Sequence, residues 1–337
     1  MTDAFGKVGV LGTGSWGTAL ACLARESAPE VILCGRNSTT VEEINSTRQN
    51  SAYLPGVTLA ENIRATTEVA DLRDADLVLV VVPSKAVRAA AGSLSAARLS
   101  PSAVLVSCAK GIELSSGARM TEILHEVLPA NPVAVLSGPN HAEEIAAGQA
   151  AAAVIGCHDE ALAIRLQAFF MLPWFRTYTS TDLPGIEWAG AVKNVFAIAA
   201  GIADGLGLGD NTKAALVTRG LAEMVRIGVA HGGRRETFQG LSGVGDLVAT
   251  CYSDHSRNNR LGKMLGKGVP LPEAVASMKM VAEGVPNTES IYRSARRAGV
   301  RTPLIDAVFA ILYEQKHPVE ALQELLSRDP RPEDEEV

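Results

Sequence analysis

The sequence predicts an N-terminal α/β domain followed by an all-α C-terminal domain. A chain of 337 residues is too long for one ordinary hydrophobic core. In its first half, short apolar runs typical of parallel strands alternate with helical patterns, and from Thr181 onward helical patterns take over. We therefore place the domains at residues 1–180 and 181–327. We expect residues 328–337, a charged segment that contains prolines, to be a disordered tail.

The first strand pattern leads directly into a glycine-rich turn. Residues 7–11 (KVGVL) read as a short buried strand, and Gly12, Gly14 and Gly17 follow in GxGxxG spacing before a helical pattern over residues 18–24. The glycines permit a tight turn and a close approach of the backbone to a pyrophosphate, and the helix N-terminus supplies N–H groups. This context predicts a Rossmann-type dinucleotide site, with a plain glycine turn as the alternative.

The second strand pattern, residues 31–34, ends at Gly35 and Arg36. NAD-specific folds usually carry Asp or Glu here, which binds the ribose hydroxyls, whereas Arg36 can meet the 2′-phosphate of NADP or stack on adenine. We therefore expect NADPH/NADP to be used as well as NADH/NAD. A solvated loop cation is the alternative for Arg36.

The later strand patterns complete the α/β half. Residues 76–82 (DLVLVVV) have the unbroken apolar character of a central parallel strand, and further strands are expected at residues 104–107, 133–136, 152–155 and 175–179. Lys110 follows the strand at 104–107 and should face the cofactor crevice, because ligands bind at the carboxyl ends of such strands; an exposed loop lysine is the alternative. Ser137 or Asn140 could cap the helix that follows.

The second half centres on a helix that carries one ammonium. Residues 188–202 (WAGAVKNVFAIAAGI) are apolar or glycine except for Lys193 and Asn194. A lysine buried there must reach a carboxylate or water or lose much of its charge, and either outcome suits proton transfer. The alternative is a lysine whose stem lies along the helix while its ammonium reaches solvent.

Two further segments of this half carry chemistry. Asp246 and Thr250 are four residues apart and share a helix face, although Asp246 also suits a plain first-turn acid. Residues 256–260 (SRNNR) combine two guanidiniums with amide donors, which would bind a phosphate or carboxylate; a solvated basic turn is the alternative. Asn211 is expected to cap the helix that runs through Gly228.

Composition excludes several functional classes. A net charge of −6 argues against a general nucleic-acid or anionic-membrane binder. The N-terminus has no apolar run of signal-peptide length, and the longest strongly apolar segment, residues 77–82, is too short to span a membrane, so we expect a cytoplasmic protein. Five scattered cysteines without a CxxC pair, and histidines without metal-ligand spacing, indicate free thiols and no metal. The oligomeric state is not determined by the sequence, and a homodimer is left open.

Seven segments together carry a family resemblance. They are GTGSWGTALA (residues 12–21), LVVVPS (79–84), CAKGIE (108–113), SGPNHAEE (137–144), EWAGAVKNVFAIAAGI (187–202), LSGVGDLVATCYSDHSRN (241–258) and VAEGVPN (281–287). In this order they resemble the NAD(P)-dependent glycerol-3-phosphate dehydrogenases of bacteria. The resemblance implies reversible reduction of dihydroxyacetone phosphate by NAD(P)H to sn-glycerol 3-phosphate, which feeds glycerophospholipid synthesis.

The resemblance also implies a set of site residues. Lys193 stands at the position of the family's proton donor and acceptor, and we assign Lys110 and Asp246 as further catalytic residues. Besides the glycines of the turn, the implied cofactor contacts are Ser15, Trp16, Arg36, Tyr53, Lys110, Ala142, Arg257, Val281 and Glu283. The implied substrate contacts are Lys110, Gly138, Lys193, Asp246, Ser256, Arg257 and Asn258. We add Asn194 beside Lys193, Thr250 on the face of Asp246, and Asn140, which stands where many members have serine.

The residue types suit this reaction. Reduction of a ketone places negative charge on its oxygen. A cation beside that oxygen that can also donate a proton would favour the reaction. Lys193 supplies it, Asp246 can balance its charge, and Arg257 with Asn258 can grip the phosphate. Two alternatives stay open: a related β-hydroxyacid dehydrogenase or ketopantoate reductase, which would favour a carboxylate site, and a non-catalytic dinucleotide-sensing protein, which needs no buried lysine.

Overall fold

Eight strands form one sheet in the first half of the chain. The computed structural model describes residues 4–278, 280, 282–330 and 332–333. The strands are β1 (Lys7–Leu11), β2 (Glu30–Cys34), β3 (Ile63–Thr66), β4 (Leu77–Val80), β5 (Val104–Ser107), β6 (Val133–Ser137), β7 (Ala151–Gly156) and β8 (Phe175–Ser180). Their order is β3-β2-β1-β4-β5-β6-β7-β8. Neighbouring strands are parallel except β6 and β7, which run antiparallel. The chain order reverses direction beside β1, which is where open α/β sheets bind ligands.

Helices from the first half of the chain cover both faces of the sheet. They are α1 (Ser15–Ala24), α2 (Ser38–Thr47), α3 (Val87–Ala96), α4 (Met120–Val127), α5 (Ala142–Ala146) and α6 (Glu160–Phe170). Successive side chains of a strand point to opposite faces, so Leu77 and Leu79 of β4 belong to one apolar core, and Val78 and Val80 to another. Burial on both faces explains why the central strands are continuous apolar runs rather than alternating ones.

The second half is helical. It contains α7 (Leu183–Gly205), α8 (Asp210–Ala230), α9 (Asp246–Tyr252), α10 (Arg257–Gly266), α11 (Leu271–Ala276), α12 (Gly284–Ala298), α13 (Pro303–Tyr313) and α14 (Pro318–Leu326). The chain divides into two compact units, of which the first ends at Leu183, while residues 111–117 belong to the second. Helix α7 is long and apolar enough to cross a membrane, but its apolar stretch is completely buried within the protein.

Glycines allow α10 to pack closely on α7. A Cβ atom at Gly201 would lie 2.1 Å from the carbonyl oxygen of Asn259, and one at Gly262 would lie 2.1 Å from that of Ile198. Contacts this short exclude any side chain at these two positions, so the helix backbones almost touch. The close packing fixes the start of α10 relative to the helix that carries Lys193.

Two predicted helix caps are wrong. Helix α8 has Gly209 as its N-cap, and Asn211 lies inside its first turn, where Asp210 already complements the helix dipole. Helix α5 has His141 at its N-cap, without a side-chain hydrogen bond, so neither Asn140 nor Ser137, which is still part of β6, caps it. Of the predicted tail, residues 328–330 and 332–333 have neither helix nor strand, and the others lie outside the described residues.

Candidate active site

The glycine turn between β1 and α1 has the geometry of a dinucleotide loop. Gly12 has a φ of +131°, and a Cβ atom there would lie 2.6 Å from the carbonyl oxygen of Val81. At Gly17 a Cβ atom would lie 1.8 Å from the carbonyl oxygen of Gly12, so α1 starts directly against the turn. At Gly14 a Cβ atom would meet nothing within 4 Å. The outer side of the turn therefore leaves room for a ligand to approach the backbone.

The other predicted cofactor residues of this region surround the turn. Ser15 is buried, and its hydroxyl donates to the carbonyl oxygen of Tyr53 at 2.6 Å, which brings two of them together. Trp16 is partly buried against the core of the first unit. Arg36 is exposed just after β2, and the next residue, Asn37, caps α2 by accepting from the Thr40 N–H. Arg36 thus stands beside a helix N-terminus, which favours an anionic group such as a phosphate.

A second group of predicted residues lies beyond the ends of β5 and β6. Lys110 Nζ donates to the carbonyl oxygen of Gly138 at 3.0 Å. Gly138 has a φ of +141°, which L side chains rarely adopt, and a Cβ atom there would lie 3.0 Å from the carbonyl oxygen of Ala152. Both amide atoms of Asn140 are buried without a hydrogen-bond partner among the described residues. Ala142, the last of the group, is buried at the start of α5.

Two serines of this region were not predicted as site residues. The hydroxyls of Ser107 and Ser137, the last residues of β5 and β6, are buried and have no hydrogen-bond partner in the described part of the chain. Their position at strand ends was the available sequence signal. Buried polar groups normally have partners, so these hydroxyls and the Asn140 amide fit a polar ligand such as a dinucleotide.

The ammonium of Lys193 lies in the core of the second unit. Lys193 Nζ donates to Asp246 Oδ1 at 2.8 Å and to Thr250 Oγ1 at 2.7 Å. Lys193 is 7% exposed and Asp246 is 2% exposed, so the pair is buried. The lysine therefore reaches a carboxylate, and the alternative in which its ammonium reaches solvent is wrong. A buried charge pair of this kind is weakly screened by salt.

The partners of Lys193 are positioned by a kink before α9. Gly243 lies in a short π-turn with non-helical φ and ψ of −90° and −106°. A Cβ atom there would lie 2.0 Å from the carbonyl oxygen of Phe238, so a side chain is excluded. Asp246 follows as the first residue of α9, and the Thr250 hydroxyl donates back to the Asp246 carbonyl oxygen at 2.6 Å. Both oxygens that hold Lys193 therefore come from one helical turn.

A chain of amide hydrogen bonds starts at the residue next to Lys193. Asn194 Oδ1 accepts from Asn258 Nδ2 at 2.9 Å, and Asn258 Oδ1 accepts from the Gly284 N–H at 2.9 Å. A Cβ atom at Gly284 would lie 2.8 Å from both Asn258 Oδ1 and the Asn194 carbonyl oxygen. The chain joins α7, α10 and the start of α12, and Gly284 is a component that we did not predict from the sequence.

Helix α10 begins beside this chain. Ser256 is its N-cap, with Oγ accepting from the Asn259 N–H at 3.2 Å, and Arg257 is its exposed first residue. A guanidinium at a helix N-terminus, next to the N–H groups of the first turn, offers donors that can bind an anion. One hydrogen bond, between Asn194 and Asn258, thus links the neighbour of Lys193 to the start of α10.

Two buried cysteines flank predicted site residues without being reactive. Burial raises the pKa of Cys251 to about 12, against the opposing effect of Lys193 and Lys213. Burial also raises the pKa of Cys108 far above its usual range and outweighs the opposing effect of Lys110. Because the thiolate is the reactive form, neither cysteine serves as a nucleophile at neutral pH.

Comparison with known proteins adds an independent observation. Residues 7–163 match the model of the NAD-dependent glycerol-3-phosphate dehydrogenase N-terminus, and residues 182–323 match that of its C-terminus. The chain belongs to the NAD-dependent glycerol-3-phosphate dehydrogenase family. The family resemblance, the fold class and the NAD(P)-dependent oxidoreductase class predicted from the sequence are thereby confirmed.

Individual glycerol-3-phosphate dehydrogenases are similar over nearly the whole chain. The glycerol-3-phosphate dehydrogenase [NAD(P)+] of Streptomyces coelicolor is 52% identical over 330 residues, which cover 97% of this chain and 98% of the relative. The crystal structure of glycerol-3-phosphate dehydrogenase from Coxiella burnetii has a TM-score of 0.92 at 37% identity, covering 96% of this chain and 99% of that one. A ketopantoate reductase from Ralstonia eutropha has a TM-score of 0.59 at 19% identity, covering 94% and 99%, and shares the fold alone.

Two remaining predicted cofactor residues, Val281 and Glu283, precede α12 in the sequence. Glu283 is its partly buried N-cap residue, and Val281 lies outside the described residues. Across the described ranges, no group of three or more His, Cys, Asp or Glu side chains could hold a metal ion.

Proposed function

We propose that this protein catalyses the reversible NAD(P)H-dependent reduction of dihydroxyacetone phosphate to sn-glycerol 3-phosphate, which supplies glycerophospholipid synthesis. One observation carries the proposal. In the second unit, the ammonium of Lys193 is held by Asp246, while the adjacent Asn194 bonds to Asn258 at the anion site that starts α10. A proton donor coupled to an anion site suits a ketone that bears a phosphate.

The first unit binds the dinucleotide in this proposal. The Gly12–Gly17 turn receives the pyrophosphate, and the unpartnered polar atoms of Ser107, Ser137 and Asn140 offer hydrogen bonds at the ends of β5 and β6. A bound reduced nicotinamide supplies the hydride for the ketone carbon. Lys110, whose ammonium is oriented by the Gly138 carbonyl oxygen, contributes positive charge toward both cofactor and substrate.

Lys193 acts as the acid in the direction of reduction. Negative charge develops on the ketone oxygen, and an ammonium beside it both stabilises that charge and donates the proton. Asp246 and Thr250 hold the ammonium in place through the bonds of 2.8 and 2.7 Å. In the oxidative direction, the neutral amine takes the proton from the alcohol.

The start of α10 binds the substrate phosphate. Arg257 supplies charge-assisted hydrogen bonds, and the backbone N–H groups of the first turn add the helix dipole. The side chain of Asn258 is already committed at both ends, to Asn194 and to the Gly284 N–H. Its contribution is therefore to orient the start of α10, with its own backbone N–H directed at the anion.

Several finer assignments complete the proposal. We assign residues 1–180 to dinucleotide binding, 181–327 to the substrate and catalysis, and the remaining predicted contacts, Trp16, Arg36, Tyr53, Ala142, Ser256, Val281 and Glu283, to the roles that the family resemblance implies. A cytoplasmic location is supported by five free cysteines, of which four are buried. A homodimer also stays a proposal, which sedimentation velocity would test.

Turnover of a small set of ketones tests the proposal. NADPH or NADH oxidation is measured with dihydroxyacetone phosphate, unphosphorylated dihydroxyacetone, ketopantoate and a β-ketoacid. We expect turnover of dihydroxyacetone phosphate and little of the others. Preference for a ketoacid would favour the hydroxyacid dehydrogenase or ketopantoate reductase alternative, and cofactor binding without any turnover would favour the sensing protein.

A further inference from the structure

A loop that precedes β3 packs against the glycine turn. Asn50, in this loop, is fully buried, and its Nδ2 donates to the carbonyl oxygen of Thr13 at 2.9 Å and to Thr18 Oγ1 at 2.8 Å. Thr13 lies within the turn, and Thr18 lies in the first turn of α1. The side chain therefore contacts the dinucleotide turn from inside the protein.

The threonine extends the contact to the next peptide. Thr18 Oγ1 accepts from Asn50 and donates to the carbonyl oxygen of Gly14 at 2.9 Å. In a trans peptide the C=O and N–H bonds point in opposite directions. With the carbonyl oxygens of Thr13 and Gly14 directed inward, the N–H bonds of Gly14 and Ser15 are directed outward. Outward N–H groups at this place are the donors that a pyrophosphate requires.

The backbone of Asn50 positions a second cofactor element. Its carbonyl oxygen accepts from the Leu54 N–H at 2.8 Å and from the Tyr53 N–H at 3.3 Å, which closes a tight turn. The Tyr53 carbonyl oxygen in turn accepts from the Ser15 hydroxyl at 2.6 Å. One residue therefore joins the turn that carries Tyr53 to the glycine turn at the start of α1.

We propose that Asn50 is a positioning residue for the dinucleotide: its amide, directly and through Thr18, fixes the Thr13–Gly14 and Gly14–Ser15 peptides so that their N–H groups face the pyrophosphate. The inference rests on the proposed dinucleotide site. Asn50 touches neither cofactor nor substrate in this role. Because the pyrophosphate is common to both cofactors, Asn50 acts equally on NADH and NADPH binding and leaves the choice between them unchanged.

The substitution Asn50→Asp tests this role with minimal change of shape. A carboxylate cannot donate to the Thr13 carbonyl oxygen and is repelled by it, and a protonated carboxyl group has one proton for the two acceptors, the Thr13 carbonyl oxygen and Thr18 Oγ1. In either form the hold on the peptide between Thr13 and Gly14 is weakened. We expect the Kd of NADPH and of NADH, measured by quenching of tryptophan fluorescence, to rise by about 10-fold or more, equivalent to 1.4 kcal/mol. The kcat at saturating cofactor should stay within about twofold, because the proton donor is untouched.

Asn131 provides a matched control. It is 5% exposed, and its Nδ2 likewise donates to two backbone carbonyl oxygens, those of Ser100 and Ala103, both at 2.8 Å. These carbonyls lie before β5, at the opposite end of that strand from Lys110. Asn131→Asp should therefore lower stability as Asn50→Asp does while leaving both Kd values within about twofold of wild type.

Substitutions of Thr18 provide a second test, which applies even if Asn50→Asp does not fold. The Gly14 carbonyl oxygen accepts from both the hydroxyl and the backbone N–H of Thr18. Thr18→Val removes the hydroxyl, and with it the link to Asn50, so it should weaken binding of both cofactors, whereas Thr18→Ser retains the hydroxyl and should bind as wild type. Equal binding by these two variants, unchanged Kd values in a folded Asn50→Asp, or an equal loss in Asn131→Asp would each overturn the inference. A wild-type protein that binds neither dinucleotide would instead contradict the proposed function itself.

Discussion

The substitution Lys193→Met tests both the catalytic role and the structural role of the buried ammonium. At 2.8 Å and an effective dielectric constant of about 20, Lys193 and Asp246 attract each other by about 6 kcal/mol, which desolvation offsets in part. Lys193→Met leaves Asp246 buried without this counter-charge, so we expect a loss of about 3–5 kcal/mol of stability. The kcat should fall by at least about 10²-fold, because a positioned acid is lost. Cofactor affinity should hardly change, since the glycine turn lies in the first unit.

The double variant Lys193→Met/Asp246→Asn provides the control. It removes the unpaired carboxylate, so stability in urea should recover most of the way to wild type while turnover stays as low as in Lys193→Met. Turnover is followed as oxidation of NADPH by dihydroxyacetone phosphate at saturating concentrations of both. Near wild-type kcat in either variant would refute the acid–base assignment, and a double variant as unstable as the single one would refute the electrostatic account of the pair.

Three other substitutions test further parts of the protein. Arg257→Ala should raise the KM for dihydroxyacetone phosphate by roughly 10- to 100-fold through loss of a charge-assisted phosphate contact, whereas Arg260→Ala, an exposed arginine in the same helix, should not. Arg36→Asp should shift the ratio of kcat/KM for NADPH over NADH by roughly 10²-fold toward NADH; an unchanged ratio would place the choice of cofactor elsewhere. Glu223 accepts from the N–H groups of Leu304 and Ile305 at the start of α13, and burial raises its pKa from 4.5 to about 7. The native state therefore binds more protons than the unfolded state in this range, and stability falls as pH rises from 4.5 to about 7. Relative to wild type, Glu223→Gln should gain about 3 kcal/mol over that range in urea unfolding, and a pH-independent difference would contradict the raised pKa.

The sequence was most informative where neighbouring residues carry the chemistry. The glycine turn at residues 12–17 was recognised because strand, turn and helix follow one another directly. The lysine of α7 was recognised because a single charge in an apolar helix has few explanations. Residues 256–258 were recognised because their donors are adjacent in the chain. Each of these signals depends on the spacing of residues along the chain, which can be read directly from the sequence.

Local sequence patterns gave the wrong N-cap where a neighbouring residue takes the cap position instead. Asn211 has the character of an N-cap, yet the glycine-rich segment before it lets α8 begin at Asp210. Asn140 could cap α5, but the left-handed Gly138 redirects the chain so that His141 takes the cap position. Backbone conformation, which depends on contacts with distant strands and helices, decides such boundaries.

By itself, the sequence determined the two-part fold and the family, and it named most of the candidate site residues, though not Ser107, Ser137 or Gly284. Only the tertiary structure decided that Lys193 pairs with Asp246 and Thr250, that Asn194 bonds to Asn258, and that Asn50 supports the glycine turn. Each of these contacts joins residues tens of positions apart in the chain. Their side chains meet because glycines let helices and turns approach within backbone contact, and that closeness exists only once the core has formed.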